Sequence, residues 1–147
     1  MNLDDYIPFL MQPAPNRYTG GEVNQRALEQ ARAAGIQHIV NLRPVAETEG
    51  FDEAAVAEQL GLAYHHLPIA GPQELTRDNV ARFHGILETI GDAPALIHCA
   101  SSNRVGALFA LDAAWEQGQD AESALARGRE HGLTKMEPAV RSVLEAG

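Results

Sequence analysis

The chain of 147 residues contains a single cysteine and a single tryptophan, and Lys135 is its only lysine. One cysteine excludes an intrachain disulfide, and a reactive thiol persists best in a reducing compartment. No apolar run approaches the roughly 20 residues that a membrane-spanning helix needs, and the acidic start Asp4-Asp5 lacks the pattern of a signal peptide. We therefore expect a cytoplasmic protein with one domain over residues 1–147 and no membrane partner.

Basic residues are also scarce: 20 acidic residues face 11 basic ones, for a net charge of −9. Such a surface repels nucleic acid at long range, so nucleic acid is not an expected partner. The six histidines do not follow a metal-ligand spacing. His65 and His66 are consecutive and would point to opposite faces of a strand, while His38 and His84 lie on separate elements. We predict neither a metal nor a cofactor.

Strand and helix patterns alternate along the chain. We predict helices over residues 22–34, 51–60, 76–90, 104–117 and 121–130, and strands over residues 37–42, 63–67 and 95–98. A last helix is expected after a capping-box pattern that runs from Thr134 to Glu137. The helix after residue 104 is apolar nearly all round and should be buried. This alternation predicts an α/β fold with a mainly parallel sheet, in which ligands bind beyond the carboxyl ends of the strands.

Cys99 lies where the apolar strand at 95–98 gives way to a helix, and Arg104 follows it closely. A loop at a helix N-terminus collects inward N–H groups that bind anions, and the same field favours a thiolate. The guanidinium of Arg104 can donate hydrogen bonds to two oxygens of an anion at once. A lone cysteine beside a buried strand is otherwise often only a small apolar residue. The surrounding loop and arginine favour a nucleophile that attacks a small anionic substrate or a phosphorylated residue.

The segment from His98-Cys99 to Arg104 resembles the phosphate-binding signature of cysteine-dependent protein tyrosine and dual-specificity phosphatases. It is closer still to the bacterial beta-lactamase-hydrolase-like, phosphatase-like family. Three flanking segments are similar to that family in the same order: Arg17–Gly21, Gly35–Pro44 and Leu62–Ile69. The resemblance implies a three-layer phosphatase-like fold, with a central, mainly parallel sheet of four to five strands flanked by helices.

The resemblance also assigns roles within the loop. The resemblance implies that Cys99 is the nucleophile and that Arg104 binds the substrate anion. His98 supports the loop from the residue before the nucleophile. The implied anion-binding loop comprises Ala100, Ser101, Ser102, Asn103 and Arg104.

This chain departs from the phosphatase pattern in three respects. Only four residues separate Cys99 from Arg104 instead of five, and Val105 replaces the usual hydroxyl residue after the arginine. That hydroxyl would stabilise the departing thiolate, and a hydroxyl of Ser101 or Ser102 could do so in its place. The general acid, an aspartate in dual-specificity phosphatases, is expected near residues 70–72, which contain no acid. Glu74 and Asp78 are the nearest candidates, although Asp78 also fits an ordinary first-turn helix carboxylate.

Three functions remain open at this stage. The first is a cysteine-dependent phosphatase that acts on a phosphomonoester through a phosphocysteine intermediate. The second is a rhodanese-like sulfurtransferase that carries a Cys99 persulfide, because a shorter loop suits a single sulfur atom. The third is a non-catalytic anion-binding module.

The loop after the strand at 37–42 is expected to form a wall of the pocket. Arg43 in this loop would either add positive potential or pair with Glu47 or Glu49.

Overall fold

The computed structural model describes residues 3–48 and 50–147. The strands are β1 (Met11–Ala14), β2 (Arg17–Gly20), β3 (His38–Asn41), β4 (Ala63–His66) and β5 (Ala95–His98). The α-helices are α1 (Gln25–Ala33), α2 (Glu53–Gln59), α3 (Arg77–Ile90), α4 (Asn103–Trp115), α5 (Ala121–Glu130) and α6 (Glu137–Ala146). Short 3-10 turns lie at Leu3–Asp5, Val45–Thr48 and Pro72–Glu74.

The sheet has five strands in the order β1-β2-β5-β3-β4. Strands β2, β5, β3 and β4 are parallel, and β1 pairs antiparallel with β2 at one edge. In this register His98 at the end of β5 lies between Gly20 of β2 and Asn41 of β3. The carboxyl ends of the central strands therefore meet at the start of the loop that contains Cys99.

Helices cover both faces of the sheet and give it three layers. Neighbouring residues of β5 face opposite ways: Leu96 packs in a cluster with the apolar side chains of α1 and α2, whereas Ile97 packs with those of α3 to α6. All four residues of β5 are buried, which is the pattern of a central parallel strand covered on both faces. No helix within residues 3–48 and 50–147 is long and apolar enough to cross a membrane.

Helix α4 confirms the prediction of a buried helix, since ten of its 13 residues are buried. Side-chain N-caps hold the starts of two predicted helices: Thr76 accepts a hydrogen bond from Asn79 N, and Asp120 accepts one from Ser123 N. The prediction of a capping box from Thr134 to Glu137 was wrong. Helix α6 begins at Glu137 without a side-chain cap of its own, and the Oδ1 of Asn103 accepts the N–H groups of Thr134 and Met136 instead.

Gly106 lies where α4 passes the segment between α5 and α6. A Cβ atom there would come within 2.6 Å of the Cα of Leu133, which is backbone and cannot move aside cheaply. We expect Gly106→Ala to lower the free energy of unfolding by about 2–4 kcal/mol through overpacking. Urea denaturation monitored by circular dichroism would measure this loss of unfolding free energy.

Gly85 provides the matched control because it is an exposed glycine within α3 and a Cβ there would meet no atom within 4 Å. Gly85→Ala should raise the free energy of unfolding by about 0.5–1 kcal/mol, since alanine loses less backbone entropy in a helix. Equal effects of the two substitutions would contradict the close approach of α4 to Leu133.

Candidate active site

The loop between β5 and α4 is anchored along its base by the neighbouring strands. The N–H of Cys99 donates to the carbonyl of Gly20 at 3.2 Å, and the N–H of Glu22 donates to the carbonyl of Ala100 at 3.1 Å. Gly21 allows this approach, since a Cβ atom there would lie 2.5 Å from the Ala100 oxygen. Cys99 itself is fully buried. The backbone at Cys99 is therefore held from the β2 side of the sheet.

The far side of the loop is tied to the segment between α5 and α6. Ser102 has a left-handed backbone (φ 69°), which is strained for a residue with a side chain and is typical of functional loops. Its Oγ donates to the carbonyl of His131 at 3.3 Å, and Gly132 leaves room for that hydroxyl. The Ser102 hydroxyl thus binds the His131 carbonyl rather than Cys99. Ser101 is therefore the remaining candidate to replace the hydroxyl that is missing at Val105.

Arg104 in the first turn of α4 reaches across the carboxyl edge of the sheet. Its Nη1 donates to Glu47 Oε2 at 2.9 Å and to the Ile69 carbonyl at 2.8 Å, and its Nη2 donates to Glu47 Oε1 at 2.8 Å. These contacts leave the Nε–H and one Nη2–H of the guanidinium, which has five N–H donors. The structure therefore fixes one edge of the guanidinium and leaves its other edge for further contacts.

Arg104 lies within electrostatic range of Cys99. The hydrogen bond with Glu47 is the main reason why the pKa of Arg104 is raised, while burial lowers it. Attraction to Cys99 raises the same pKa further. The structure thus brings together the two residues that the sequence placed in one loop.

Glu47 joins Arg104 to a second arginine. Arg43 lies 3.5 Å from Glu47 through its Nε and 3.3 Å from Glu22 through its Nη1, and its Nη2 donates to the Glu47 carbonyl at 2.6 Å. The hydrogen bond from Arg104 holds the pKa of the Glu47 carboxyl below its usual range. The predicted pairing of Arg43 with Glu47 is confirmed, and Glu49, the other predicted partner, lies outside the described residues.

The two candidate acids lie on the segment after β4. Glu74 is half-buried in the 3-10 turn, and its Oε1 accepts the N–H of Ala70 at 2.6 Å, next to the Ile69 carbonyl that holds Arg104. Asp78 is exposed on α3 and pairs with Arg82 at 3.2 Å. Glu74 therefore borders the site, whereas the contact made by Asp78 is that of an ordinary helix-surface carboxylate.

Comparison with known families decides where the chain belongs. The profile of the beta-lactamase hydrolase-like protein, phosphatase-like domain family matches residues 16–116, more than half of the chain. The chain belongs to this family. The family predicted from the loop and the three flanking segments is thus confirmed.

Curated relatives within the family are longer proteins. The beta-lactamase hydrolase-like proteins of Xylella fastidiosa strains Temecula1 and 9a5c are 32% identical over 103 residues, which is 67% of this chain and 23% of theirs. The chain therefore spans about a quarter of the length of these relatives.

Solved structures confirm the phosphatase-like fold. The DUF442 protein of Shewanella putrefaciens CN-32 superposes with a TM-score of 0.77 at 20% identity, over 98% of this chain and 93% of that one. A cysteine-to-serine variant of TpbA from P. aeruginosa, crystallised with pTyr, superposes with a TM-score of 0.65 at 16% identity, over 97% and 84% of the two chains. At these identities the similarity establishes the three-layer fold.

His98 contacts a carboxylate in this beta-lactamase-hydrolase-like, phosphatase-like domain. Its Nε2 lies 2.6 Å from Oε2 of Glu53, the first residue of α2, and both side chains are buried. The sequence predicts a loop-supporting role for His98 but gives no signal for Glu53. Elsewhere, His38 and His65 are stacked on each other with a nitrogen–nitrogen distance of 3.1 Å. Among the described residues, no three His, Cys, Asp or Glu side chains form a metal-binding group.

An open groove of about 340 Å³ borders the loop on the β1 side. Its apolar wall comes from the segment before and within β1, and the loop and the α5–α6 segment complete it. Its lining residues include Phe9, Leu10, Met11, Ser101, Asn103 and Lys135. Phe9 is 63% exposed and has a left-handed backbone (φ 60°). The family member thus has an apolar surface next to the loop between β5 and α4.

Glu47 was absent from the predicted site, and its role as a positioning group for Arg104 can be tested. We expect Glu47→Gln to lower kcat about tenfold, because the amide cannot form the two-oxygen ion pair that orients the guanidinium. KM should not rise, since the change removes a negative charge near a bound anion. Steady-state kinetics with an aryl phosphate would separate the two effects.

Glu22→Gln is the control for this prediction. Glu22 pairs with the same Arg43 at 3.3 Å, but its carboxylate is exposed and it binds Arg43 rather than Arg104. Its loss should leave kcat within about twofold. A rise in kcat for Glu47→Gln would instead mean that Glu47 competes with the substrate for Arg104.

Proposed function

We propose that this domain is a cysteine-dependent phosphatase that hydrolyses a phosphomonoester through a phosphocysteine at Cys99. One observation carries the proposal: Arg104 lies in the first turn of the helix directly after the Cys99 loop, and Glu47 and Ile69 hold one edge of its guanidinium while the other edge stays available. The arginine is thereby presented to an anion above the nucleophile. Membership of a phosphatase-like family supports the same reaction.

The reaction has two steps. The Cys99 thiolate attacks phosphorus, so that an S–P bond forms while the ester P–O bond breaks. The leaving group departs as an oxyanion, which takes a proton from solvent water. Water then attacks the phosphocysteine, breaking the S–P bond and releasing inorganic phosphate. The free N–H groups of Arg104 and the amides of Ala100 to Arg104 stabilise the charge that develops on the phosphoryl oxygens.

Neither Glu47 nor Glu74, the two glutamates described beside Arg104, is a strong proton donor for the leaving group. The low pKa of Glu47 keeps its carboxylate ionised, and Glu74 is bound to the Ala70 amide. General acid catalysis contributes about 10²–10⁴-fold in enzymes that have it. The proposed substrates are therefore esters with acidic leaving groups, such as phenols, which depart with little help.

Sulfur transfer is the second candidate because only four residues separate Cys99 from Arg104. In that reaction Cys99 takes sulfane sulfur, holds it as a persulfide and passes it to a thiol or cyanide. The apolar groove beside the loop favours an ester with an organic group over a small inorganic sulfur donor. A non-catalytic anion-binding module is the third candidate, with the same loop and no turnover.

The purified domain should be assayed with nitrophenyl phosphate and, separately, with thiosulfate plus cyanide. We expect release of nitrophenol that phosphate inhibits competitively, and no thiocyanate. Thiocyanate production without ester hydrolysis would replace the phosphatase by the sulfurtransferase. Binding of phosphate without either turnover would identify an anion-binding module.

A further inference from the structure

The pair of His98 and Glu53 lies directly beneath the nucleophile. His98 is the last residue of β5 and is bonded through its peptide to Cys99. The side chains of His98 and Glu53 are 0% and 3% exposed, and their contact of 2.6 Å is short for a nitrogen–oxygen hydrogen bond. A carboxylate oxygen accepts hydrogen bonds, so we assign the hydrogen in this contact to His98 Nε2.

Stability alone explains this pair poorly. The other carboxylate oxygen, Glu53 Oε1, and the other ring nitrogen, His98 Nδ1, are buried and have no hydrogen-bond partner among the described residues. Burying such polar atoms costs free energy, and well-packed apolar residues of similar volume are often as stable or more so. A buried polar pair with two unsatisfied atoms, one residue from a nucleophile, is better explained by a role in the chemistry.

The Glu53 carboxylate is held in place by its own helix. Asp52 caps α2 by accepting the N–H of Ala55 at 3.1 Å, which sets the first turn that carries Glu53. Asp52 and Glu53 are both close enough to Tyr64 to act on it electrostatically, although burial is the main reason why the pKa of Tyr64 is raised to about 12. Arg104 approaches the loop from α4 and is held there by Glu47. Glu53 thus reaches the base of the loop from α2, independently of the Arg104–Glu47 pair.

We propose that Glu53 is a positioning residue for Cys99: it accepts the Nε2–H of His98 and so fixes the tautomer and ring orientation at the base of the loop. Histidine tautomers are commonly set in this way by a partner on one ring nitrogen. The inference rests on the proposed function, in which Cys99 is the nucleophile. It adds a residue from α2, 45 positions away from His98 in the sequence.

The test uses Glu53→Met, which keeps the length of the side chain and removes the acceptor. The control is Glu58→Met, which changes an exposed glutamate on the same helix. We expect Glu53→Met to lower kcat for an aryl phosphate about tenfold, with KM and the dissociation constant of inorganic phosphate within about twofold. Glu53→Gln, which retains an acceptor oxygen, should recover most of the activity. Glu58→Met should leave kcat unchanged.

Nitrogen-15 NMR of the histidine rings supplies a readout that does not depend on turnover. The wild-type His98 signal should be that of an Nε2-protonated ring, and Glu53→Met should abolish it while the other histidine signals persist. The carbon-13 shift of the Cys99 Cβ should move in the same variant. An unchanged kcat, or an unchanged Cys99 shift with only the melting temperature altered, would reduce Glu53 to a structural role. If the wild type has no phosphatase activity, the proposed function fails and the two NMR signals alone decide the role of Glu53.

Discussion

Replacing Cys99 by serine is expected to lower kcat for aryl phosphate hydrolysis by at least about 10³-fold. A serine hydroxyl is almost entirely protonated near neutral pH and is a much weaker nucleophile than a thiolate. The side chains are similar in size, and the backbone bonds of Cys99 to Gly20 and of Ala100 to Glu22 do not involve the sulfur. Stopped assays with enzyme at micromolar concentration would measure the residual rate.

Two controls accompany the Cys99→Ser variant. Its circular dichroism spectrum should match that of the wild type, and it should still bind inorganic phosphate, because Arg104 and the loop amides remain. Turnover by the variant within about tenfold of the wild type would mean that Cys99 is not the nucleophile. Loss of phosphate binding together with turnover would point to a collapsed loop instead.

Arg104→Lys should have the second-largest effect, a fall in kcat/KM of about 10²–10³-fold. The lysine ammonium keeps the positive charge but cannot bind Glu47 through two nitrogens and present two further donors to an anion. The Ile69 carbonyl would also lose the donor that now lies 2.8 Å from it. Both kcat and the affinity for phosphate should therefore fall, as measured by kinetics and by phosphate titration.

Arg129→Lys is the matched control for this substitution. Arg129 also holds a glutamate through two nitrogens, at 2.7 and 2.8 Å from the oxygens of Glu137, but on the exposed surface of α5 and α6. Since exposed ion pairs contribute little, kcat/KM should stay within about twofold. If Arg104→Lys behaved like Arg129→Lys, the guanidinium would not be the group that binds the substrate anion.

Features encoded by neighbouring residues were predictable from the sequence. The apolar run of β5, the small and polar loop after it and the apolar helix α4 fix the position of Cys99 by local pattern. The caps at Thr76 and Asp120 follow from the same local chemistry. Because parallel strands end at one edge, the loop after β3 could also be expected near Cys99, and the pairing of Arg43 with Glu47 was predicted.

Contacts between distant segments were not predictable. Glu47 binds Arg104 across 57 positions and Glu53 binds His98 across 45, and each lies in a segment where a glutamate is ordinarily an exposed helix or turn residue. The Asn103 side chain accepts N–H groups just before α6, more than 30 positions away in the sequence. The local pattern at Thr134 therefore predicted the wrong capping residue. Strand β1 was missed because its four residues are mostly exposed and include a proline, which is typical of an edge strand.

The central claim is that Cys99 attacks phosphorus, and the covalent intermediate tests it most directly. The domain should be mixed with an aryl phosphate, quenched in acid within the first turnovers and digested for mass spectrometry of the peptide that contains Cys99. The account predicts a phosphoryl group on Cys99 in the wild type and none in Cys99→Ser. Ester hydrolysis with no phosphoryl group on Cys99, or a persulfide on Cys99 after exposure to thiosulfate without any ester hydrolysis, would contradict it.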